Sequence, residues 1–248
     1  MISELHSPLF QADSLTKSFG ALKAVNAVSF SVSEGEILGI AGPNGSGKST
    51  LFNIITNIPF RADSGRSLFQ GREIQRRAGH EIGRLGLART FQRETVFPSL
   101  RSIDNVLIAI EFGGHAGAQR DNEARAEAAL ETVGFPATMH NTPAGGLPVF
   151  HRKLVMIASA LALDPKLLLL DEPAASLTEG EIERMRALIL KLKAGGMTIL
   201  LIEHVLPLLT GVSDRLIVLD QGTLISEGAP QDVIADPRVV EAYLGGAA

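Results

Sequence analysis

Residues 42–49 read Gly-Pro-Asn-Gly-Ser-Gly-Lys-Ser, the residue types and spacing that hold a chain of phosphates. Glycines let successive backbone N–H groups curl around phosphate oxygens, and a helix beginning near Lys48 adds its positive end. Lys48 reaches the terminal phosphates, and the Ser49 hydroxyl is a ligand for Mg2+. A glycine-rich turn serving only the fold is the alternative, but such a turn needs neither Lys-Ser at its exit nor an apolar strand before it. The expected nucleotide-binding residues are Gly42, Pro43, Asn44, Gly45, Ser46, Gly47, Lys48, Ser49 and Thr50, with ATP and Mg2+ as the bound species.

A second constellation stands far along the chain, where the apolar run Leu167-Leu168-Leu169-Leu170 ends in Asp171 and Glu172. Adjacent residues of a strand point to opposite sides, so two neighbouring carboxylates can take two roles. Asp171 is placed to hold Mg2+ through water and Glu172 to orient the attacking water as general base. Taken alone the pair could be two solvated acids at a strand exit; the phosphate loop favours the catalytic reading. No Asn-Lys-x-Asp run occurs, which disfavours guanine as the base.

Such residues need elements that bring them to one place. Glu36 to Ala41 reads as an apolar strand into the glycine-rich turn, and Lys48 to Asn57 as a helix stopping before Pro59. Leu167–Leu170 and Met197–Ile202 are continuous rather than alternating, as parallel strands buried on both faces are. Between them, Thr178 with Glu181 forms a capping box, and Ile182, Met185, Leu188, Ile189 and Leu192 form an apolar stripe ended by Gly195-Gly196. Leu9 to Val32 alternates, with Val28, Phe30 and Val32 on one face, as in an antiparallel layer. Arg215–Leu219, the turn Asp220-Gln221-Gly222 and Thr223–Ser226 read as a hairpin. The middle third, roughly Glu94 to Gly146, has helical segments such as Asp121–Val133 and breaks at Gly113-Gly114 and Gly145-Gly146. The fold class expected is α/β: a P-loop NTPase core with a mostly parallel sheet, an N-terminal antiparallel β layer and a helical subdomain insert. One domain is expected over residues 1–248, its core about 1–93 and 164–248 and its helical part about 94–163.

Composition excludes other classes. A net charge of −4 sets up no field for nucleic acid, and no nucleic-acid partner is expected. The absence of cysteine removes disulfides, thiolate metal sites and cysteine nucleophiles. The longest apolar stretches, Leu154–Leu163 and Met197–Ile202, fall short of the roughly 20 residues a membrane helix needs, and Met1–Phe10 lacks a signal-peptide layout. The chain is expected to be soluble by itself, and at a membrane to be held by another protein.

With both motifs in view, the chain resembles the ABC ATPase family over nearly its whole length. The resemblance implies that Phe19 stacks on adenine, although ordinary core burial is the other reading of that residue. It also implies that Gln92, in Arg89-Thr90-Phe91-Gln92, senses Mg2+ and the γ-phosphate, and that His204 is the switch histidine contacting that phosphate. Catalytic candidates are thus Glu172, His204 and Gln92, and metal candidates Ser49, Gln92 and Asp171. Within the family the chain is most similar to ATP-binding subunits of branched-chain amino acid uptake systems. Two stretches carry this: Gly86-Leu87-Ala88-Arg89-Thr90-Phe91-Gln92 with Val96-Phe97-Pro98 and Asp104-Asn105-Val106-Leu107, and Asp214 through Gly222 with Glu241-Ala242-Tyr243-Leu244-Gly245. Membership implies a second ATPase subunit, two transmembrane permease subunits, a periplasmic or extracellular solute-binding protein, and a peripheral place on the cytoplasmic face of the inner membrane. A transporter for another solute such as urea, a soluble ABC protein that clamps without transport, and a nucleotide-binding module without catalysis are the rivals.

One stretch departs from the family pattern. Where a Leu-Ser-Gly-Gly-Gln-like signature is expected, the run is Leu147-Pro148-Val149-Phe150-His151. Pro148 has neither hydroxyl nor backbone N–H, and Phe150 puts a large side chain where glycine would let the backbone approach a phosphate. The D-loop Ala175-Ser176-Leu177-Thr178 lacks its usual terminal aspartate. An asymmetric heterodimer is the expectation, with the partner's ATP, facing Leu147–His151, turned over slowly.

Overall fold

The computed structural model describes residues 7–113 and 119–245; most of Met1–Phe10 and the Gly114 break lie outside the described residues. Alternation builds the first layer. Strands β1 (Phe10–Phe19) and β2 (Leu22–Val32) pair antiparallel, and β1 pairs on its other side with β4 (Ser64–Phe69), which β5 (Arg72–Glu73) extends. Val28, Phe30 and Val32 are buried on one face, as their spacing implies. In β1 the buried positions run Phe10, Ala12, Leu15, an odd step that strict alternation forbids. Ser14 explains it: its φ of 51° and the register shift between Ala12 and Leu15 form a bulge that reverses the side-chain parity.

The second sheet has six strands in the order β10-β9-β3-β8-β7-β6. Strands β3 (Ile37–Ala41), β7 (Leu167–Asp171) and β8 (Thr198–Ile202) are buried at every position, which is why their sequences are unbroken apolar runs. β6 (Leu87–Arg89) pairs parallel with β7 at one edge, and β9 (Arg215–Asp220) pairs parallel with β3. The hairpin strand β10 (Thr223–Gly228) is the antiparallel member. Alternate side chains divide between two cores. Leu38, Ile40, Leu167, Leu169, Leu200 and Ile202 pack toward the β layer and helix α1 (Lys48–Thr56). Ile37, Leu168, Leu170, Ile199 and Leu201 pack in the opposite core, with Met185 and Ile189 of helix α6 (Glu179–Ala194).

The short helix α2 (Gly79–Arg84) leads into β6. Helices α3 (Ser102–Phe112), α4 (Gln119–Thr132) and α5 (Val149–Leu161) form the middle third, and the expected helix over 121–133 is α4, begun two residues earlier. Val106, Ile110, Leu130 and Leu154 of these helices share one continuous cluster with the sheet face that carries Leu168 and Leu201. Helices α7 (Leu206–Val212), α8 (Pro230–Ala235) and α9 (Pro237–Gly245) complete the chain. Among the described residues no helix is long and apolar enough to cross a membrane. Leu200, at the middle of β8, is wholly buried. Leu200→Ala is expected to lower unfolding free energy by about 3 kcal/mol, read as a lower urea midpoint at unchanged slope.

Candidate nucleotide site

Parallel pairing brings the strand ends to one edge. Ala41 lies level with Val218, Ile40 with Ile202, Ile202 with Asp171, and Leu169 with Arg89. The chain leaves that edge as the phosphate loop after β3, as Glu172 after β7, as Glu203-His204 after β8 and as Thr90–Gln92 after β6. The segments named from sequence as remote motifs therefore become neighbours.

The loop is held open by close backbone contact. Gly42, Gly45 and Gly47 have φ of 146°, 79° and 104°, in the region that favours glycine. A Cβ on Gly47 would stand 2.1 Å from the Ala24 carbonyl oxygen, and one on Gly42 would stand 2.2 Å from that of Leu219. Gly222 N–H donates to the Ser46 carbonyl at 3.0 Å. Lys48 is buried, and its Nζ donates to the carbonyls of Gly42 (2.8 Å) and Pro43 (2.9 Å), with Ser46 Oγ at 3.4 Å. Burial is the main influence on Lys48 and pushes its pKa down, against the attraction of Glu172 and Asp171. A cleft of about 660 Å³ opens over this loop, lined by Phe19, Asn44, Lys48, Ser49, Gln92 and Glu172 among others. That volume lies within the roughly 300–1,000 Å³ of small-molecule sites.

Phe19 is 46% exposed and sits edge-on to Phe60, ring centroids 5.1 Å apart. This removes core burial as its explanation and leaves an aromatic face at the cleft. A hollow of about 860 Å³ between α4 and α6 is larger, but no glycine-rich loop lines it.

Asp171 and Glu172 part company at the end of β7. Asp171 is 2% exposed, and its Oδ2 accepts from the Arg89 guanidinium at 2.7 Å. Its Oδ1 is buried without a hydrogen-bond partner among the described residues. Burial raises the Asp171 pKa and Arg89 opposes that shift. Glu172 has φ of 49°, so its backbone has left the extended region, a strained state of the kind that concentrates at functional positions. Its Oε2 accepts from Gln92 Nε2 at 2.9 Å and lies 3.7 Å from His204 Nδ1. The carboxylate, the amide and the imidazole thus converge on the rim of the cleft, while Asp171 stands buried beneath it. A carboxylate so placed can take a proton from a water, and the loop can bind an anion in backbone N–H groups. Among the described residues no group of three or more His, Asp or Glu forms a protein-only metal cage. A metal here would share its ligands with phosphate, as Mg2+ sites do.

Three contributors lay outside the sequence reading of roles. Arg89 grips Asp171 from β6. Tyr243 Oη in α9 accepts the Gly42 N–H at 2.9 Å, tying the C-terminal helix to the loop entrance. Glu203 is wholly buried, and its Oε1 accepts the Ala174 N–H at 2.6 Å, which links the His204 turn to the segment after Glu172. A charged side chain at a strand end is the available signal for Arg89 and Glu203, whereas Tyr243 sits in a helix; nothing local identifies the partner of any of the three.

The departing signature run forms the start of α5, with Pro148 as its N-cap. Phe150 is 3% exposed, packed in the core with the Arg184 guanidinium 4.3 Å from its ring centre. The ring therefore turns inward and does not itself block the helix end. The lost hydroxyl and N–H at Pro148 remain. His151 keeps Nδ1 buried with no hydrogen-bond partner among the described residues, and burial followed by Arg184 lowers its pKa. At the D-loop, both the N–H and the hydroxyl of Thr178 donate to Glu181 Oε2 at 2.9 Å.

Comparison with known proteins shows the family and the fold. Residues 25–175 match the ABC transporter family, and residues 223–248 match the branched-chain amino acid ATP-binding cassette transporter family. The chain is 36% identical over 252 residues to the high-affinity branched-chain amino acid transport ATP-binding protein BraF of Pseudomonas aeruginosa, spanning 96% of this chain and 98% of that one. It is 35% identical over 255 residues to LivG of Escherichia coli K12, a protein of the same description, spanning 97% and 99%. Among solved structures, a nucleotide-free ATP-binding cassette from an ABC transporter superposes with TM-score 0.88 at 32% identity, over 96% of this chain and 99% of that chain. The ADP conformation of another ATP-binding cassette superposes with TM-score 0.85 at 33% identity, over 97% and 100%. Gly47→Ala, which drives a methyl into the Ala24 carbonyl at positive φ, is expected to abolish measurable nucleotide binding in an equilibrium titration while leaving the far-ultraviolet circular dichroism spectrum unchanged.

Proposed function

The chain belongs to the ABC transporter ATP-binding proteins of the branched-chain amino acid family, and from that premise we propose that it couples ATP binding and hydrolysis to uptake of a branched-chain or related amino acid. The observation that carries the reading is the meeting of Gln92 and His204 on the Glu172 carboxylate beside the Lys48 loop.

In this reading the adenine of ATP stacks on the exposed face of Phe19, a contact worth about 1–3 kcal/mol. The phosphates lie against backbone N–H groups of residues 44–50, and Lys48 turns from the carbonyls of Gly42 and Pro43 to the terminal phosphates. Glu172 takes the proton of the attacking water. Gln92 and His204 hold that carboxylate and report the γ-phosphate. Mg2+ fits the donor set: Ser49 lies in the first turn of α1, and Asp171 keeps one buried oxygen without a partner among the described residues, with Gln92 as a further ligand. When bound, the ion supplies positive charge against the phosphates. The chain is part of an ABC transporter complex, and we assign it a second ATPase subunit, two membrane permease subunits and a solute-binding protein delivering from outside. Its place is then the cytoplasmic face of the inner membrane, attached through the permeases.

The partner ATPase is a different chain in this proposal. An α5 N-terminus capped by Pro148 offers fewer donors to a phosphate on the partner than a serine would, so two copies of this chain would impair both sites. Because Phe150 belongs to the core, the informative substitution is Pro148→Ser alone. In the assembled heterodimer it is expected to raise turnover at the partner's site about tenfold, the worth of one charge-assisted hydrogen bond. Unchanged single-turnover rates would remove the asymmetry. Glu172→Gln is expected to preserve ATP affinity and lower hydrolysis at this chain's own site by about 10²–10³-fold. Retained turnover in that variant would take the general-base role from Glu172.

A further inference from the structure

Arg89 ends an edge strand, yet its side chain is 6% exposed and joined to an Asp171 side chain that is 2% exposed. Its position follows from the register: Arg89 lies level with Leu169, so it shares a face with Asp171 two residues on. One guanidinium nitrogen, NH2, donates to Asp171 Oδ2 at 2.7 Å. The other, NH1, donates to Asn53 Oδ1 at 2.8 Å and to Thr56 Oγ1 at 3.3 Å, both on α1. Phe52 and Phe91 flank the group, with ring centres 5.4 Å and 4.8 Å from its carbon. The fork is thereby fixed between the helix that leaves the phosphate loop and the strand that carries Asp171.

A buried ion pair is a poor stability device, because desolvation of two charges offsets their attraction and an apolar pair of similar volume serves as well. What the planar guanidinium adds is orientation. Asp171 Oδ2 is taken, and Oδ1 is buried without a partner among the described residues. We propose that Arg89 is a positioning residue that clamps Asp171 by Oδ2 and so leaves Oδ1 as the oxygen presented to a Mg2+-bound water. The inference rests on the reading of Asp171 as a metal-site carboxylate, and it treats Arg89 as an outer partner of the kind that tunes metal affinity about 10–100-fold. It also places α1 in the metal site's support: Asn53 and Thr56 set where the guanidinium sits, and α1 begins at Lys48-Ser49.

The test is equilibrium binding of ADP to the full chain, with excess Mg2+ and with EDTA, since no turnover is then involved. For Arg89→Met the affinity in EDTA is expected to stay within about twofold of the parent, while the gain produced by Mg2+ shrinks about tenfold. A full Mg2+ gain in Arg89→Met overturns the inference. Should that variant not fold, Asn53→Ala keeps the ion pair and removes one anchor of NH1; a reduced Mg2+ gain is expected, and an undiminished one there overturns the inference equally. Asp171→Asn separates the two levels. If it keeps the whole Mg2+ gain, the metal reading of Asp171 fails; if it loses the gain and Arg89→Met does not, the positioning role alone fails.

Discussion

Parallel pairing of β9, β3, β8, β7 and β6 is the constraint on which the rest of this molecule depends. Because the strands run the same way with matched register, each leaves the sheet at the same edge, and the groups of the candidate site other than Phe19 of β1 stand at the ends of these strands or in the residues that follow. An antiparallel neighbour at any of these places would send its loop to the opposite end. The antiparallel strand that does join this sheet, β10, stands at the far edge, where Gly222 of the β9–β10 turn donates to the Ser46 carbonyl of the phosphate loop and, with Gln221, lines one side of the cleft.

Within that edge, burial sorts the charges. Lys48, Asp171, Arg89 and Glu203 are withdrawn from water, Lys48 bonded to backbone carbonyls, Glu203 to a backbone N–H, and Arg89 to Asp171 and to side chains of α1, so they define shape. Glu172, Gln92 and His204 form a more open group at the surface of the cleft, where reacting water and phosphate have access. The sorting follows from alternation up to Asp171 and from the left-handed backbone at Glu172 beyond it. A strictly extended residue there would continue the strand, and the strain is tolerated because the Glu172 N–H is bonded to the Ile202 carbonyl at 2.9 Å.

Two further ties make the site a property of the whole chain. Arg152 of α5 bonds Glu94, two residues beyond Gln92, at 2.6 Å, and its neighbour Lys153 donates to the Glu172 carbonyl at 3.2 Å. The helix that opens with Pro148 therefore grips both the Gln92 segment and the Glu172 turn. From the other end of the chain, Tyr243 reaches the first glycine of the phosphate loop. These ties give the helical third and the C-terminal helix direct contact with the nucleotide machinery.

Contiguous features were legible in the sequence by itself. The phosphate loop is eight successive residues whose backbone requirement is local; β7 and β8 are apolar at every position because both faces are covered; α6 carries its cap, stripe and stop within its own length. Short elements with few apolar residues were not legible: β4 buries only Ser67 and Phe69, and β6 is three residues at an edge. The inward turn of Phe150 was likewise hidden, since its stacking partner Arg184 belongs to another helix. Tertiary structure alone decided the strand order, the union of Gln92, Glu172 and His204, the clamp of Arg89 on Asp171 across 82 positions and the contact of Tyr243 with Gly42 across 201. The reason is physical: local sequence sets backbone preference and which face is apolar, whereas a hydrogen bond between distant segments exists only once packing has placed both groups within about 3 Å.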